Sequence, residues 1–253
     1  AHRALLYERV QSGFLKFFDY GVMSMSRLFS TFGISGVYEC LEQLGYSMTT
    51  KEGVEKARQL LEFIKDYSLE CSKECKDMMF NVEQVPAESL AVKFAAKDNY
   101  MYGMKYPLYS NQFIPLWVDF DIVDRVKLDG IFSKVLTGGG ISHLNVGEKL
   151  TSHMQMRRLI QYAIESGCEH FAVNYNFSKC VEGHVTVAGP STLLCSMCGG
   201  KIKDHYTRII GYFTPVSSWN KGRQVEHTKR VFKKQDGIEG YVEESCETAE
   251  KTC

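Results

Sequence analysis

The chain has 253 residues, 44% hydrophobic and 24% charged, an ordinary globular composition with length enough for a sizeable core. Basic and acidic residues number 30 each, so the formal net charge is zero and a broad nucleic-acid-binding face is excluded, although a small phosphorylated ligand needs only local donors. Nine cysteines, an odd number, with no secretory layout in AHRALLYERV, point to reduced thiols and metal ligation in a cytoplasmic protein rather than to a disulfide framework.

The sequence opens without Met and reads as processed, trimmed or incomplete. Leu5, Leu6, Val10, Phe14, Phe17 and Phe18 fall near helical spacing and predict one helix over residues 3 to 18. A second helix follows Gly36 through VYECLEQLG and stops at Gly45. Thr50 is the expected N-cap of a long third helix, with Gly53 where a capping box would place Glu. Cys71 and Cys75 share a face of that helix; the spacing suits a metal pair, but with no partner nearby they read as ordinary helix thiols.

Residues 80 to 120 are less periodic and carry Pro86, Pro107 and Pro115, which break helices. Helices are expected over 120 to 132 and 152 to 166, and an alternating strand over 170 to 177. Thr137 to Gly140 reads as a plain turn more readily than as a phosphate cradle, because no phosphate-loop Lys follows. No apolar run approaches the ~20 residues of a membrane span. Helices alternating with short strands give an α/β architecture.

From Lys179 the composition changes. Cys180, His184, Cys195 and Cys198 sit in CVEGHVTVAGPSTLLCSMC, and Cys-x-x-Cys followed by two glycines lets two thiolates hold one ion from a tight turn. The first half, Cys-x-x-x-His, is the less usual spacing, and four unrelated residues on a hairpin remain the alternative. A redox Cys-x-x-Cys would open a helix in a βαβ unit, and that context is missing. Three thiolates and one imidazole close a tetrahedron around zinc, a structural site with no open position. Next comes RIIGYF, in which a lone Gly211 stands among strand formers that it should weaken. Pattern alone reads it as a bulge or a close backbone contact.

RIIGYFTPVSSWNKGR resembles the glycyl-radical loop of anaerobic (class III) ribonucleotide reductases, with Arg208, Gly211 and Tyr212 in its Arg-x-x-Gly-Tyr segment and Asn220 and Gly222 in the turn that follows. FSTFGISGVYECLEQLG, VPAESLAVKFAAKD, YPLYSNQF and LTGGGISHLNVGEKL are similar to further segments of that family, in its order, over roughly residues 20 to 230. The resemblance implies the C-terminal part of a ten-stranded α/β barrel over 1–178, a zinc knuckle over 179–200, the radical loop over 201–230 and a mobile tail over 231–253 that contains Cys246 and Cys253.

It also implies reduction of ribonucleoside triphosphates by radical chemistry, with Gly211 as the radical site. The radical would be installed by an activating enzyme that uses S-adenosylmethionine and an iron–sulfur cluster. A cysteine in a finger loop would then become a thiyl and take the 3′-hydrogen of the ribonucleotide, and the 2′-hydroxyl would leave as water. That cysteine precedes the Ser-Thr-x-Gly-Ile segment in the family, so Cys40 is not assigned to the role. The expected partners are the activating enzyme, the N-terminal half of the reductase in the same or a separate chain, and a second copy in a homodimer. No nucleic acid and no membrane is expected. Ser110 and Asn111 are candidate substrate-binding residues, with a capping role equally open. The rival reading is a non-catalytic zinc-binding module, or a spare part that donates Gly211 to a partner chain.

Overall fold

The computed structural model describes residues 2–75, 78–150, 152–209 and 211–234. The predicted first helix divides. α1 spans His2–Gln11, Gly13 turns the chain with φ +68°, and a four-residue α2 follows at Lys16–Asp19. No residue of α1 is fully buried: Leu6 and Val10 are half-buried, and Leu5 and Tyr7 are exposed. Arg3 fastens the helix by donating to the carbonyls of Met25 and Leu28 at 2.6 and 3.1 Å.

The body is a series of parallel strands joined by helices. β1 (Phe29–Ile34) leads through α3 (Val37–Gln43) and α4 (Lys51–Glu74) to β2 (Met79–Gln84), and the two strands pair in parallel from Phe29↔Met79 to Ile34↔Gln84. The Thr50 hydroxyl caps α4 by accepting from the Gly53 amide at 3.2 Å, as predicted. A side chain at Gly53 would stand 1.9 Å from the Ser47 carbonyl oxygen, so close packing of the preceding turn excludes the usual Glu.

After β2 come α5 (Glu88–Tyr102), α6 (Ile122–Ser133), β3 (Ser142–Asn145), α7 (His153–Ser166) and β4 (Phe171–Asn174), with β4 parallel to β3. Asp121 and Ser152 cap α6 and α7 with their side chains. A parallel bridge between Glu83 and Gly139 links β2 to the chain entering β3. The α5 helix was masked in the sequence by Pro86, which lies outside it, beside a left-handed Ala87. Its segment is otherwise rich in helix formers, and Ala91 and Ala95 are fully buried.

The expected strand over 170 to 177 splits. β5 (Phe177–Cys180) leaves the parallel layer and joins an antiparallel sheet with β6 (Val185–Val187), β7 (Ile202–Arg208) and β8 (Phe213–Pro215), in the order β6-β5-β7-β8. The boundary expected at 178/179 therefore cuts through β5. The last helix, α8, spans Lys221–Lys229. Asn220 caps it by accepting from the Arg223 amide at 2.9 Å, so the expected Asn-x-Gly turn is the start of a helix.

Residues 231–233, expected in a mobile tail, are instead pinned. Val231 N–H donates to Leu116, Lys233 N–H to Asn145, and Gly147 N–H to Lys233, at 2.9, 3.0 and 2.7 Å. Residues 235–253, with Cys246 and Cys253, lie outside the described residues.

The described residues thus form a mixed α/β fold with three small sheets. They do not close the ten-stranded barrel. Of the parallel strands β3 is buried throughout, β2 and β4 are partly buried, and β1 alternates between exposed and half-buried positions. One core joins Leu41, Leu61, Val82 and Phe132, and a second joins Val126, Leu144 and Leu159. None of the described helices is long and apolar enough to cross a membrane.

The helix α6 meets α7 at Gly130, where an added Cβ would stand 2.1 Å from the Ser166 carbonyl oxygen. Gly130→Ala should therefore cost about 2 kcal/mol, read as a lower urea midpoint at unchanged slope. An unchanged midpoint would contradict this packing.

Candidate metal centre and glycine hairpin

The four residues singled out as ligands converge. Cys180 ends β5, His184 lies in the β5–β6 turn, and Cys195 and Cys198 sit in the loop before β7. Their ligand atoms all lie within 4.8 Å of one another, the one such group of three or more among the described residues. A tetrahedral zinc with bonds of about 2.3 Å to sulfur and about 2.0 Å to nitrogen separates two sulfurs by about 3.8 Å, and a sulfur and a nitrogen by about 3.6 Å. Here Cys180 Sγ is 3.8 Å from Cys198 Sγ and 3.6 Å from His184 Nδ1. The donor set and its spacing fit zinc.

Backbone amides complete the knuckle. Met197 N–H and Gly200 N–H each point at a sulfur, Cys195 and Cys198 respectively, at 3.4 Å. The Met197 amide holds the Cys195 thiol below its ordinary range, which favours the thiolate that binds metal. The turn works because Gly183 and Gly199 adopt φ of +87° and +70°. Cys71 and Cys75 join no such group, and all described cysteines are free thiols.

The sheet that carries the knuckle also carries Gly211. β7 and β8 pair from Tyr206↔Pro215 to Arg208↔Phe213, which leaves residues 209–212 as the hairpin loop. Gly211 is exposed and Tyr212 is 84% exposed at its tip. Nothing among the described residues lies within 4 Å of where a Gly211 Cβ would stand. Among the described residues no close backbone contact stands against Gly211.

The base of the hairpin is held by buried polar groups. Asn174, at the end of β4, accepts from the Thr207 hydroxyl at 3.0 Å and from the Arg208 amide at 3.3 Å, while its own amide donates to Asn145 Oδ1 at 2.8 Å. Two residues on, Asn176 Oδ1 lies 2.8 Å from His227 Nε2, and Asn176 Nδ2 lies 3.1 Å from His205 Nδ1. The Ser178 hydroxyl reaches the same His205 nitrogen at 2.9 Å.

On α8, Glu226 and Arg230 form a two-point ion pair at 2.7 and 2.9 Å, and Arg223 Nη1 approaches Glu226 at 3.6 Å. All three are at most 4% exposed. Burial pushes the Glu226 carboxyl up, but Arg230 and Arg223 outweigh it and leave it below its ordinary range. Arg230 Nη1 also donates to the Arg208 carbonyl at 2.7 Å, and Arg223 Nη2 reaches the Pro86 carbonyl at 3.4 Å. Sequence reasoning missed this cluster, because GRQVEHTKR looks like a solvated helix. The available signal was the i, i+3 and i, i+4 spacing of Arg223, Glu226 and Arg230.

Ser110 and Asn111 stand differently. Ser110 is 3% exposed and its groups are committed: its N–H to Glu39 at 2.8 Å, its hydroxyl to the Gln112 carbonyl at 2.9 Å, and its carbonyl to the Gly36 amide at 2.8 Å. These bonds give Ser110 a structural task. The half-buried Asn111 side chain makes no hydrogen bond among the described residues. In the Thr137–Gly140 turn, the Gly138 amide is spent on the Val82 carbonyl at 2.8 Å and the Thr137 hydroxyl accepts from the Val82 amide at 3.0 Å.

The family model described as anaerobic ribonucleoside-triphosphate reductase matches residues 3–232. A solved structure titled anaerobic ribonucleotide reductase is 31% identical, with a TM-score of 0.79 over 92% of this chain and 38% of that one. The enzyme from Thermotoga maritima with glycerol in its active site is 32% identical, with a TM-score of 0.75 over 89% of this chain and 38% of that one. The same organism's enzyme in complex with dATP and CTP is 31% identical, with a TM-score of 0.73 over 88% and 38%. The chain therefore spans well under half the length of these solved reductases. No curated protein matches it.

His143 on β3 is 1% exposed, and burial, helped by Arg230, Arg208 and Arg125 and opposed by Glu226, pushes its pKa down to about 3. In the unfolded chain it titrates near ~6.5. Between those values only the unfolded state holds the proton, so stability is present above pH ~6.5 and is lost as pH falls toward 3, by at most about 1.4 kcal/mol per pH unit. Glu39 and Asp129, raised by burial to about 7 and about 6, act with the opposite sign, so the variant difference is the readout. His143→Leu should flatten the acid-side fall in urea midpoint by about one proton; parallel pH curves for parent and variant would contradict the burial of a neutral imidazole.

Proposed function

The chain belongs to the anaerobic ribonucleoside-triphosphate reductase family, and from that premise we propose that it supplies the glycyl-radical residue and the structural zinc site of such an enzyme. The radical residue is Gly211. The zinc ligands are Cys180, His184, Cys195 and Cys198. The activity is reduction of ribonucleoside triphosphates to deoxyribonucleotides without oxygen, in the cytoplasm.

One observation carries the reading. At Gly211 nothing among the described residues lies within 4 Å of where a Cβ would stand, so their packing does not ask for glycine there. At Gly53 and Gly130, by contrast, a Cβ would strike a carbonyl oxygen. A chemical reason for glycine fits this position. When Cα loses a hydrogen atom, the unpaired electron spreads over the adjacent amide nitrogen and carbonyl only if the centre is planar, and a side chain crowds that plane.

The tasks of the chain's own residues follow. Gly211 gives up one Cα hydrogen to a radical supplied by an activating enzyme that uses S-adenosylmethionine and an iron–sulfur cluster, whose substrate is the exposed hairpin tip. During turnover the planar Gly211 centre takes a hydrogen atom from a cysteine thiol in the remainder of the reductase, and the resulting thiyl attacks the ribonucleotide. Asn174 and Arg230 hold the base of the hairpin from its two sides. Zinc bound at the knuckle cross-links the β5–β6 turn to the loop before β7 and performs no redox step. Asn111, whose side chain is uncommitted, stays a candidate for substrate contact, and Ser110 supports the turn that presents it. The family likeness supports a homodimer as the assembled form.

The test is Gly211→Ala in the complete reductase, activated anaerobically. The variant should bind one zinc per chain and keep its urea midpoint, or gain up to about 1 kcal/mol from a less flexible unfolded chain. It should show no organic-radical doublet in electron paramagnetic resonance and no turnover. Full activity in Gly211→Ala would sink the assignment. Separately, Cys195→Ser should lower zinc below one equivalent and destabilise the hairpin sheet; full zinc retention would remove Cys195 from the ligand set.

A further inference from the structure

We propose that Arg230 is a positioning residue for the hairpin. Its guanidinium, oriented by Glu226, fixes the Arg208 peptide from which the Gly211 loop projects. The inference rests on the reading of Gly211 as the radical site. The two-point bond to Glu226 uses Nε and Nη2 and already neutralises the carboxylate. The remaining Nη1 is aimed at one particular acceptor, the carbonyl of the last residue of β7, at 2.7 Å. The N–H of the same residue is held by Asn174. Both polar groups of the Arg208 backbone are therefore fixed by buried side chains from different elements, α8 and β4.

That double hold has a geometric use. β8 is only three residues long, and no described residue lies within 4 Å of the Gly211 Cβ direction. The β7–β8 pairing ends at Arg208↔Phe213, so Gly211 lies beyond the last paired residue of β7. Gly211 lies three residues further along, a reach of about 10 Å for extended chain, so a small rotation at the Arg208 peptide is magnified at the reacting carbon. Hydrogen-atom transfer between Gly211 and a thiol is short-ranged, and misplacement by an ångström can cost on the order of 100-fold in rate. The Arg208 guanidinium over the Phe213 ring at 4.4 Å and the Trp219 indole N–H donating to Thr214 at 2.8 Å brace the other strand. They leave the height of the β7 end to Arg230, whose guanidinium stands 5.2 Å from the Trp219 ring centre.

Lysine keeps the charge but cannot grip Glu226 at two points and reach the carbonyl at once. In the complete reductase with its activating enzyme, Arg230→Lys should keep one zinc and a radical doublet within twofold of the parent. Its kcat should fall tenfold or more with KM unchanged, because substrate binding does not involve the hairpin height. A purely structural role would lower zinc, radical and turnover together. Should Arg230→Lys fail to fold, Glu226→Gln decides: the guanidinium stays but is less firmly aimed, and kcat should fall severalfold at full radical yield. Parent-like kcat in the folded Arg230→Lys enzyme, or in Glu226→Gln where Arg230→Lys is lost, overturns the positioning role alone. A parent enzyme without a doublet overturns both this inference and the radical assignment beneath it.

Discussion

A carboxylate without water must be neutralised, and at Glu226 two arginines do it. The consequence reaches beyond α8. Neither guanidinium is satisfied by Glu226 alone, so each spends a further N–H on a backbone carbonyl: Arg230 on Arg208 at the end of β7, and Arg223 on Pro86 ahead of α5. One buried charge thereby ties the last helix to the hairpin and to the βα unit beneath it. Breaking such a pair from one side leaves an uncompensated charge, typically at a cost of about 3–5 kcal/mol. Structure and site therefore share the same residues.

The second junction is made by amides. The chain crosses from the parallel layer to the antiparallel sheet at Asn174 to Asn176, and both asparagines are buried with their side chains engaged. Asn174 sits between β3 and β7; Asn176 sits between His205 on β7 and His227 on α8. The knuckle lies beyond that crossing, with Cys180 closing β5. The cysteine–histidine knuckle and the hairpin then belong to one small sheet, joined to the body and to α8 by buried hydrogen bonds of fixed direction.

Much of this was legible in the sequence, for physical reasons. Helices with strong periodicity and side-chain caps were found: Thr50, Asp121 and Ser152 each accept an amide as N-caps do. Cys180, His184, Cys195 and Cys198 were found because metal geometry constrains spacing. The first helix was overextended because apolar spacing runs through Gly13 and does not reveal the left-handed turn there. The α5 helix was hidden by Pro86, whose ring sits before the helix where it does no harm. The strand over 170 to 177 was read as one because alternation continues through Asn174 and Asn176, yet those side chains face different layers. The arginine–glutamate cluster was invisible because charges on a helix normally face water. For Ser110, of the two roles the sequence left open, the hydrogen bonds show the local structural one, with its hydroxyl used by its own turn.

The radical proposed for the activated enzyme is an unpaired electron on the Cα of Gly211. Oxygen adds to a carbon-centred radical, and the backbone breaks where it adds. The most direct measurement is mass spectrometry of the activated reductase after brief exposure to air. The account predicts scission at Gly211, after residue 210 in the hairpin between β7 and β8, and none in enzyme that was never activated. A fully active, radical-bearing enzyme that is cut elsewhere, or not cut at all, would contradict it.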